Sequence, residues 1–260
     1  EDIVSEIKSL VADGVVEVML LGQNVNSYGR GLEKKTTFTD LLAEIVKIEG
    51  LKRVRFMTPH PKDFSDDLIE LIKNNPKICR HIHLPLQSGN TGILKKMNRV
   101  YTKEQYLDLA YKIKKEIPDV SLTTDIIVGF PGETQEDFLD TLDVVEKVQY
   151  DAAFTFIYSK RTGTPAAKME LNIDENELKQ RFDTLLKRVQ HIAAANTSKH
   201  VGKVYEALIE SKDEQLEGYV TGRLSNNMIV HLKGEESMIG SIIKVSLDES
   251  KGFYYICLLY

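Results

Sequence analysis

Between residues 15 and 159 the chain alternates short β-branched or aliphatic runs with amphipathic stretches, and this alternation narrows the possible folds more than any other feature. VVEVMLL (15–21), RVRFM (53–57), HIHLPL (81–86), SLTTDIIVG (121–129) and AAFTFIYS (152–159) read as strands. TDLLAEIVKIEG (39–50), SDDLIELIKNN (65–75, capped by Ser65), a helical pair over roughly 90–98 and 103–117, and a segment over 134–148 behind Thr134 read as helices. Crossovers of this length permit parallel pairing, which leaves a (β/α) barrel or a doubly wound sheet. The G-x-G-x-x-G fingerprint is missing, which favours a barrel, whole or incomplete. Ahead of the first strand, EDIVSEIKSLVADG already has helical spacing at Ile3, Ile7 and Leu10/Val11 and closes on Gly14. With Glu1 in first place, the chain is expected to begin partway into a domain.

The pattern changes after about residue 170. Residues 174–202 form one long helical pattern with Leu178, Phe182, Leu185/Leu186, Val189 and Ile192 on one face. Five short strands follow, in KVYEALIESKD, EQLEGYVTGR, NNMIVHL, SIIKVSLDE and GFYYICLLY, divided by Gly, Asn and acidic turns. They suggest a small antiparallel β-barrel of the OB class. The expected organisation is therefore α/β: a (β/α) barrel with its connecting helix over 1–194, then the small barrel over 195–260.

At 260 residues, 42% hydrophobic and 28% charged, the chain buries a proper core and is not disordered. A net charge of −5 gives no global attraction to nucleic acid or acidic membrane. No apolar run approaches the roughly 18 residues of a membrane span, and no secretory leader is present, so a cytoplasmic location and no membrane partner are expected. Cys79 and Cys257 form no CxxC cluster, and two thiols cannot hold zinc or an iron–sulfur cluster unaided. Both read as small buried hydrophobes.

Function in such folds collects where the C-terminal ends of strands open into loops. Here those loops are GQNVNSYGRG (22–31), TPHPKDF (58–64), PLQSGN (85–90), the TTDIIVGFPGET elbow (123–134) and KRTGTPAA (160–167). They carry amides, hydroxyls, glycines and an Arg, with no Ser-His-Asp set and no metal-spaced histidines, so no catalytic side chain or metal ligand is assigned. Neutral donors and acceptors beside exposed backbone suit a polar, zwitterionic or nucleoside-like ligand. Each also has a plainer reading: Gln23 and Asn24 as loop caps, Asn90 as a helix cap, His60 as a loop-fixing residue, and the lysines and arginines at 95, 96, 99, 160, 161 and 168 as a solvated rim. His81 and His83 face one side of a strand without a third ligand.

LLGQNVNSYG, RVRFMTPHPKDFSDDLIELI, HIHLPLQSGNTGILKKMNRVYT, LTTDIIVGFPGETQEDF and FTFIYSKRTGTPAA closely resemble successive blocks of the radical S-adenosylmethionine methylthiotransferases. The tail, with GYVTGRLSNNMIVHL and MIGSIIKVSL, resembles their closing TRAM domain. The QNVNSYG loop and HPKDF favour the branch that adds a methylthio group to C2 of N6-isopentenyl-adenosine beside the tRNA anticodon. The sister branch modifies a ribosomal protein. The resemblance implies S-adenosylmethionine and two [4Fe–4S] clusters, an electron donor, a sulfur source and a tRNA anticodon stem-loop as partner. The cluster-bearing cysteines, including the CxxxCxxC loop, are not in this sequence, so no cluster is expected here and the chain is expected to be inactive alone.

The resemblance also implies roles for residues. Gln23 and Asn24 would engage the methionine end of the cofactor, and Gln87 and Ser88 its ribose or carboxylate oxygens. Val128 and Gly129 would offer backbone, an apolar wall and close approach to its adenine. Arg161 would meet a carboxylate or phosphate, and Asp125, Glu133 and Tyr158 complete the cofactor set. Tyr28, Arg223, Asn226, Asn227 and Lys233 would contact RNA. Residues 201–260 hold six Lys and Arg against nine Asp and Glu, so RNA contact by the tail is expected to be local and weakly salt-dependent. Two other readings stay open: an RNA-binding module with the barrel as scaffold, and an imine-forming lyase, for which no strand places a lysine at its C-terminal end.

Overall fold

Three helices begin on the same device. Thr37, Thr102 and Thr134 each accept a hydrogen bond from the N–H three residues on, and the side-chain oxygens of Asp40, Gln105 and Asp137 accept one from the threonine's own N–H. Two of the four orphan donors of each helix end are satisfied this way, which fixes where the chain turns from loop to helix.

The computed structural model describes residues 2–33, 35–171 and 173–260. The elements run α1 (Asp2–Ala12), β1 (Glu17–Leu20), α2 (Phe38–Ile45), β2 (Arg53–Phe56), α3 (Asp66–Asn74), β3 (His81–His83), α4 (Thr91–Lys96), α5 (Lys103–Glu116), β4 (Ser121–Val128), α6 (Gln135–Val148) and β5 (Ala152–Ile157). β1 pairs parallel with β2, and β3, β4 and β5 form a second parallel sheet. A bridge from Val54 to Ile78 links the two into one open, curved wall. The expected third strand, 81–86, is regular only over its first half. Pro85 has no N–H to give, and the chain continues through isolated bonds such as Leu84 N–H to Thr123 O at 2.8 Å. One face of the wall packs Val54, Ile82, Leu122, Ile126 and Val128 against helix residues Leu42, Ile45, Ile72, Tyr106 and Val145, all buried. The other face is concave and carries no helix-core residue of β3 to β5.

α7 (Glu175–Ser198) buries Leu185, Val189 and Ile192 as its periodicity requires, with Phe182 and Leu186 half-buried. It runs unbroken through residue 195, and the next strand starts at Val204. β6 (Val204–Lys212), β7 (Tyr219–Leu224), β8 (Ile229–Lys233), β9 (Ile242–Ser250) and β10 (Tyr254–Leu259) close a barrel in the order β10-β8-β7-β6-β9. Four of the five neighbouring pairs are antiparallel, as expected of the small antiparallel barrel, and β8 and β10 pair parallel. Five strands in a closed ring cannot all oppose their neighbours, so one parallel pair is unavoidable. Cys79 and Cys257 are buried, and burial pushes their thiols up to about 11 and about 12.

The small barrel docks on the end of the wall where the strands begin. Arg53 Nη1 and Nη2 donate to the carbonyls of Arg223 and Glu206 at 2.9 and 2.7 Å. Arg55 Nη2 and Nη1 donate to Leu224 O and Ser225 O at 2.7 and 3.2 Å, while its Nε is held by Glu17 at 2.7 Å. The Arg80 N–H donates to Ser225 Oγ at 3.0 Å. A crevice of about 850 Å³ borders this contact, between Lys52, Arg80 and Asp119 on one side and Tyr205, Glu206 and Asn226 on the other.

Candidate functional site

The parallel register brings the loops after β1 to β5 to one end of the wall, opposite the docked barrel. Asn26 ties the first two loops together: its Oδ1 accepts the His60 N–H at 2.8 Å and its Nδ2 donates to His60 O at 3.0 Å. Asp63 accepts from Asn24 Nδ2 at 2.9 Å and pairs with Arg30. His60 fixes its loop, accepting the Lys62 N–H on Nδ1; burial first, then nearby Arg99, lowers its pKa. From sequence Asn26 was only one polar residue of its loop and Asp63 was not singled out, because each acts on a loop more than thirty residues away. Asn24 Oδ1 and Tyr158 Oη are buried without a hydrogen-bond partner among the described residues. Gln23 and Arg161 are exposed. Tyr28 is half-buried, leaning on the core, and with Asn24 lines a groove of about 610 Å³ outside β1.

The elbow after β4 works differently from expectation. Gly129 has φ +75°, and a Cβ there would lie 2.3 Å from Leu178 Cδ1. Its missing side chain therefore admits helix α7, not a ligand. Val128 points into the helix core at 1% exposure, so it has no apolar wall to offer; its carbonyl accepts the Tyr158 N–H at 2.9 Å. Glu133 is turned inward as well: its carboxylate accepts the Gly129 N–H at 2.7 Å and lies 3.5 Å from Arg181 Nη1. Burial raises the Glu133 pKa, while the Gly129 N–H and Arg181 act against the rise. Arg181 also donates to Glu133 O and Thr134 O, both at 3.2 Å. Ser88 is fully buried, with Oγ accepting the Asn90 N–H at 3.2 Å, so it turns the chain and does not face the mouth. Gln87 sits at φ +69° and stitches to β4 through Asp125 O and Ile127 N.

On the face turned away from the helices, below the mouth, His81 and His83 both hydrogen-bond Thr123 Oγ1, and Asp125 Oδ2 lies 3.3 Å from His83 Nε2. Phe154 and Phe156 stand beside them, 56% and 51% exposed. The sequence signal was the alternation His-x-His on a strand; Thr123 becomes its partner only through the β3–β4 register.

In the small barrel, the expected RNA contacts are largely engaged elsewhere. Asn226 is buried, its Oδ1 accepting the Met228 N–H. Asn227 Oδ1 accepts from both Arg55 and Arg223 at 3.4 Å. Arg223 pairs with Glu210 at 2.9 Å. These three serve the docking turn, because a tight turn facing two buried guanidiniums has its polar groups drawn inward. Lys233 stays exposed.

Residues 1–145 match the model of the Radical SAM superfamily, and residues 198–255 that of the TRAM domain. A protein of Lachnoclostridium phytofermentans named tRNA-2-methylthio-N(6)-dimethylallyladenosine synthase is 60% identical over 98% of this chain. A protein of the same name from Clostridium beijerinckii is 52% identical, also over 98%. The chain spans 56% of the length of each. Among solved structures, the radical S-adenosylmethionine methyltransferase TsrM from Kitasatospora setae superposes with a TM-score of 0.51 at 20% identity, covering 63% of this chain and 32% of that one. That likeness concerns the fold alone. With a family match across more than half its residues, on a parallel wall whose loops converge at one mouth, the chain belongs to the Radical SAM superfamily, carrying a TRAM domain behind its connecting helix.

Proposed function

We propose that the protein acts in tRNA methylthiotransfer, adding a methylthio group to C2 of an N6-dimethylallyl-adenosine beside the anticodon. The observation that carries this reading is 60% identity, through both domains, to a protein named for that product. Among the described residues no helix is long and apolar enough to cross a membrane. The cytoplasm, an electron donor, a sulfur source and the tRNA anticodon stem-loop belong to the same proposal.

The mouth fits S-adenosylmethionine in the chemistry of its donor set. Asn24 Oδ1 and Tyr158 Oη are buried polar atoms lacking partners, each worth about 1–3 kcal/mol if left so, and a zwitterionic nucleoside offers donors and acceptors to both. Gln23 and Arg161, exposed at the same end, would hold its amino-acid portion. When bound, this cofactor supplies a methyl group and an adenosyl radical. The chain's own part is to orient: Asn26 locks two loops, and Glu133 with Arg181 sets the elbow. The residues present do not fit a [4Fe–4S] cluster, since Cys79 and Cys257 lie in different domains as buried, protonated thiols. Isothermal titration with S-adenosylmethionine tests the mouth. Asn24→Ala and Tyr158→Phe are expected to weaken binding roughly five- to tenfold each; unchanged affinity in both refutes the assignment. Because the residues present do not fit a cluster, the reaction is tested with this chain joined to the N-terminal part of the Lachnoclostridium phytofermentans relative that it does not span; no gain of the 2-methylthio nucleoside in tRNA, read by nucleoside mass spectrometry, would overturn it.

A further inference from the structure

The face of the wall turned away from the helices carries His81, His83, Thr123 and Asp125, of which only Asp125 entered the expected cofactor set. His81 Nε2 and His83 Nδ1 approach the same Thr123 Oγ1, at 2.9 and 3.0 Å, and His83 Nε2 lies 3.3 Å from Asp125 Oδ2. A carboxylate only accepts hydrogen bonds, so His83 Nε2 carries the proton that faces it. In the neutral imidazole, His83 Nδ1 is then bare and accepts the Thr123 hydroxyl, which leaves Thr123 Oγ1 to accept from His81 Nε2–H. Burial drives the His81 pKa down to about 3, so the innermost ring stays neutral near pH 7. In that tautomer the contacts run in one direction, and the last of them reaches Asp125. That side chain is 28% exposed and has acceptor capacity left over.

The neighbours of Asp125 are aromatic. Asp125 pairs in register with Phe154, and Ile127 with Phe156, so all four side chains rise from one face. The rings of His83 and Phe154 meet edge to face across β4, with centroids 5.9 Å apart. Phe154 is thus held at one edge while more than half its surface stays open. A fixed acceptor beside an open aromatic face calls for a flat ligand with an N–H at its rim.

We propose that Asp125, Phe154 and Phe156 form a nucleobase seat, the rings stacking on a purine and Asp125 taking its exocyclic N–H. The inference rests on the reading above, that the substrate is an N6-alkylated adenosine in tRNA. Such a base must leave its stack to be acted upon, and aromatic rings receive any base. Selection then falls to the acceptor: an N6-monoalkyl adenine keeps one N–H beside its apolar substituent, for which Ile127 and Phe156 supply a wall. Carboxylate and aromatic rings also suit a cation such as a sulfonium, and the test separates the two.

Anisotropy titrations of the full chain would use anticodon stem-loops carrying N6-isopentenyl-adenosine or its N6-methylated derivative, which lacks the N–H. The first is expected to bind roughly tenfold more tightly. Asp125→Asn should erase that ratio, because His83 Nε2–H holds the amide oxygen and turns its NH₂ toward the base. Phe154→Ala should weaken both RNAs, and Phe154→Tyr should restore them, which shows that the wall still folds. S-adenosylmethionine affinity of Asp125→Asn, measured beside the RNA ratio, reads the cofactor role expected of this residue separately from the seat. A ratio near one in the unaltered chain, or one that survives Asp125→Asn, overturns the seat. Loss of cofactor affinity with the RNA ratio intact assigns Asp125 to the cofactor and overturns it too. Failure of the unaltered chain to bind either RNA overturns the tRNA reading itself, and the seat with it.

Discussion

Gly129 is the point where β4, the elbow and α7 meet. Its φ of +75° and the Leu178 methyl in its Cβ position act together, so Gly129→Ala should cost about 1–3 kcal/mol from backbone strain and more from the clash. Leu178→Ala in the same chain should return only the steric part, and a double-mutant cycle by urea unfolding reads the split. His81 gives the pH dependence. Its folded-state pKa is near 3 against an ordinary value near 6.5, so as pH falls the unfolded chain takes up the proton first. Stability complete above about pH 6.5 is lost progressively toward about pH 3, and His81→Gln should flatten that slope. Urea midpoints at about pH 7 and about pH 4 check it, and an equal slope in the variant would count against the assignment.

At the scale of elements, α7 is fastened to the elbow by a buried pair: the Arg181 and Glu133 side chains are 6% and 1% exposed. Arg181→Leu strands the carboxylate and should cost about 3–5 kcal/mol, whereas adding Glu133→Gln should recover a large part of it. Denaturant unfolding of the two variants measures the difference. The succession of helices and strands was legible in the sequence because its causes are local: Ser65 and Thr134 stand immediately before their helices, and apolar period marks the strands. Arg181 was not legible, since it stands at a core position of α7 and its partner lies 48 residues back. The site was legible only as loops. Val128, Gly129, Ser88 and Glu133 sit where the mouth was expected, yet face inward, because which way a strand end turns depends on what packs behind it. Thr123 and Asp125 join the histidines only once register is known.

For the whole molecule, the governing contact is between the buried guanidiniums of β2 and the carbonyls of the small barrel. Burial lowers the Arg53 pKa, and beside Glu17 and Asn227 Oδ1 it is these carbonyls that satisfy the buried donors. Replacing both by Met should split one cooperative unfolding transition into two by calorimetry. It should also speed amide exchange at residues 224–227; a single transition would show that α7 alone couples the domains. The turn that receives them touches both halves of the wall, taking Arg55 from β2 and the Arg80 N–H from the approach to β3. Between those halves the backbone offers little besides the Val54–Ile78 bridge. The TRAM domain thus ties both sheets together at one end of the wall, adding to the hydrophobic core that they share. Arg55 and Arg80 therefore draw both sheets onto one turn, at the end of the wall opposite the loops that follow β1 to β5.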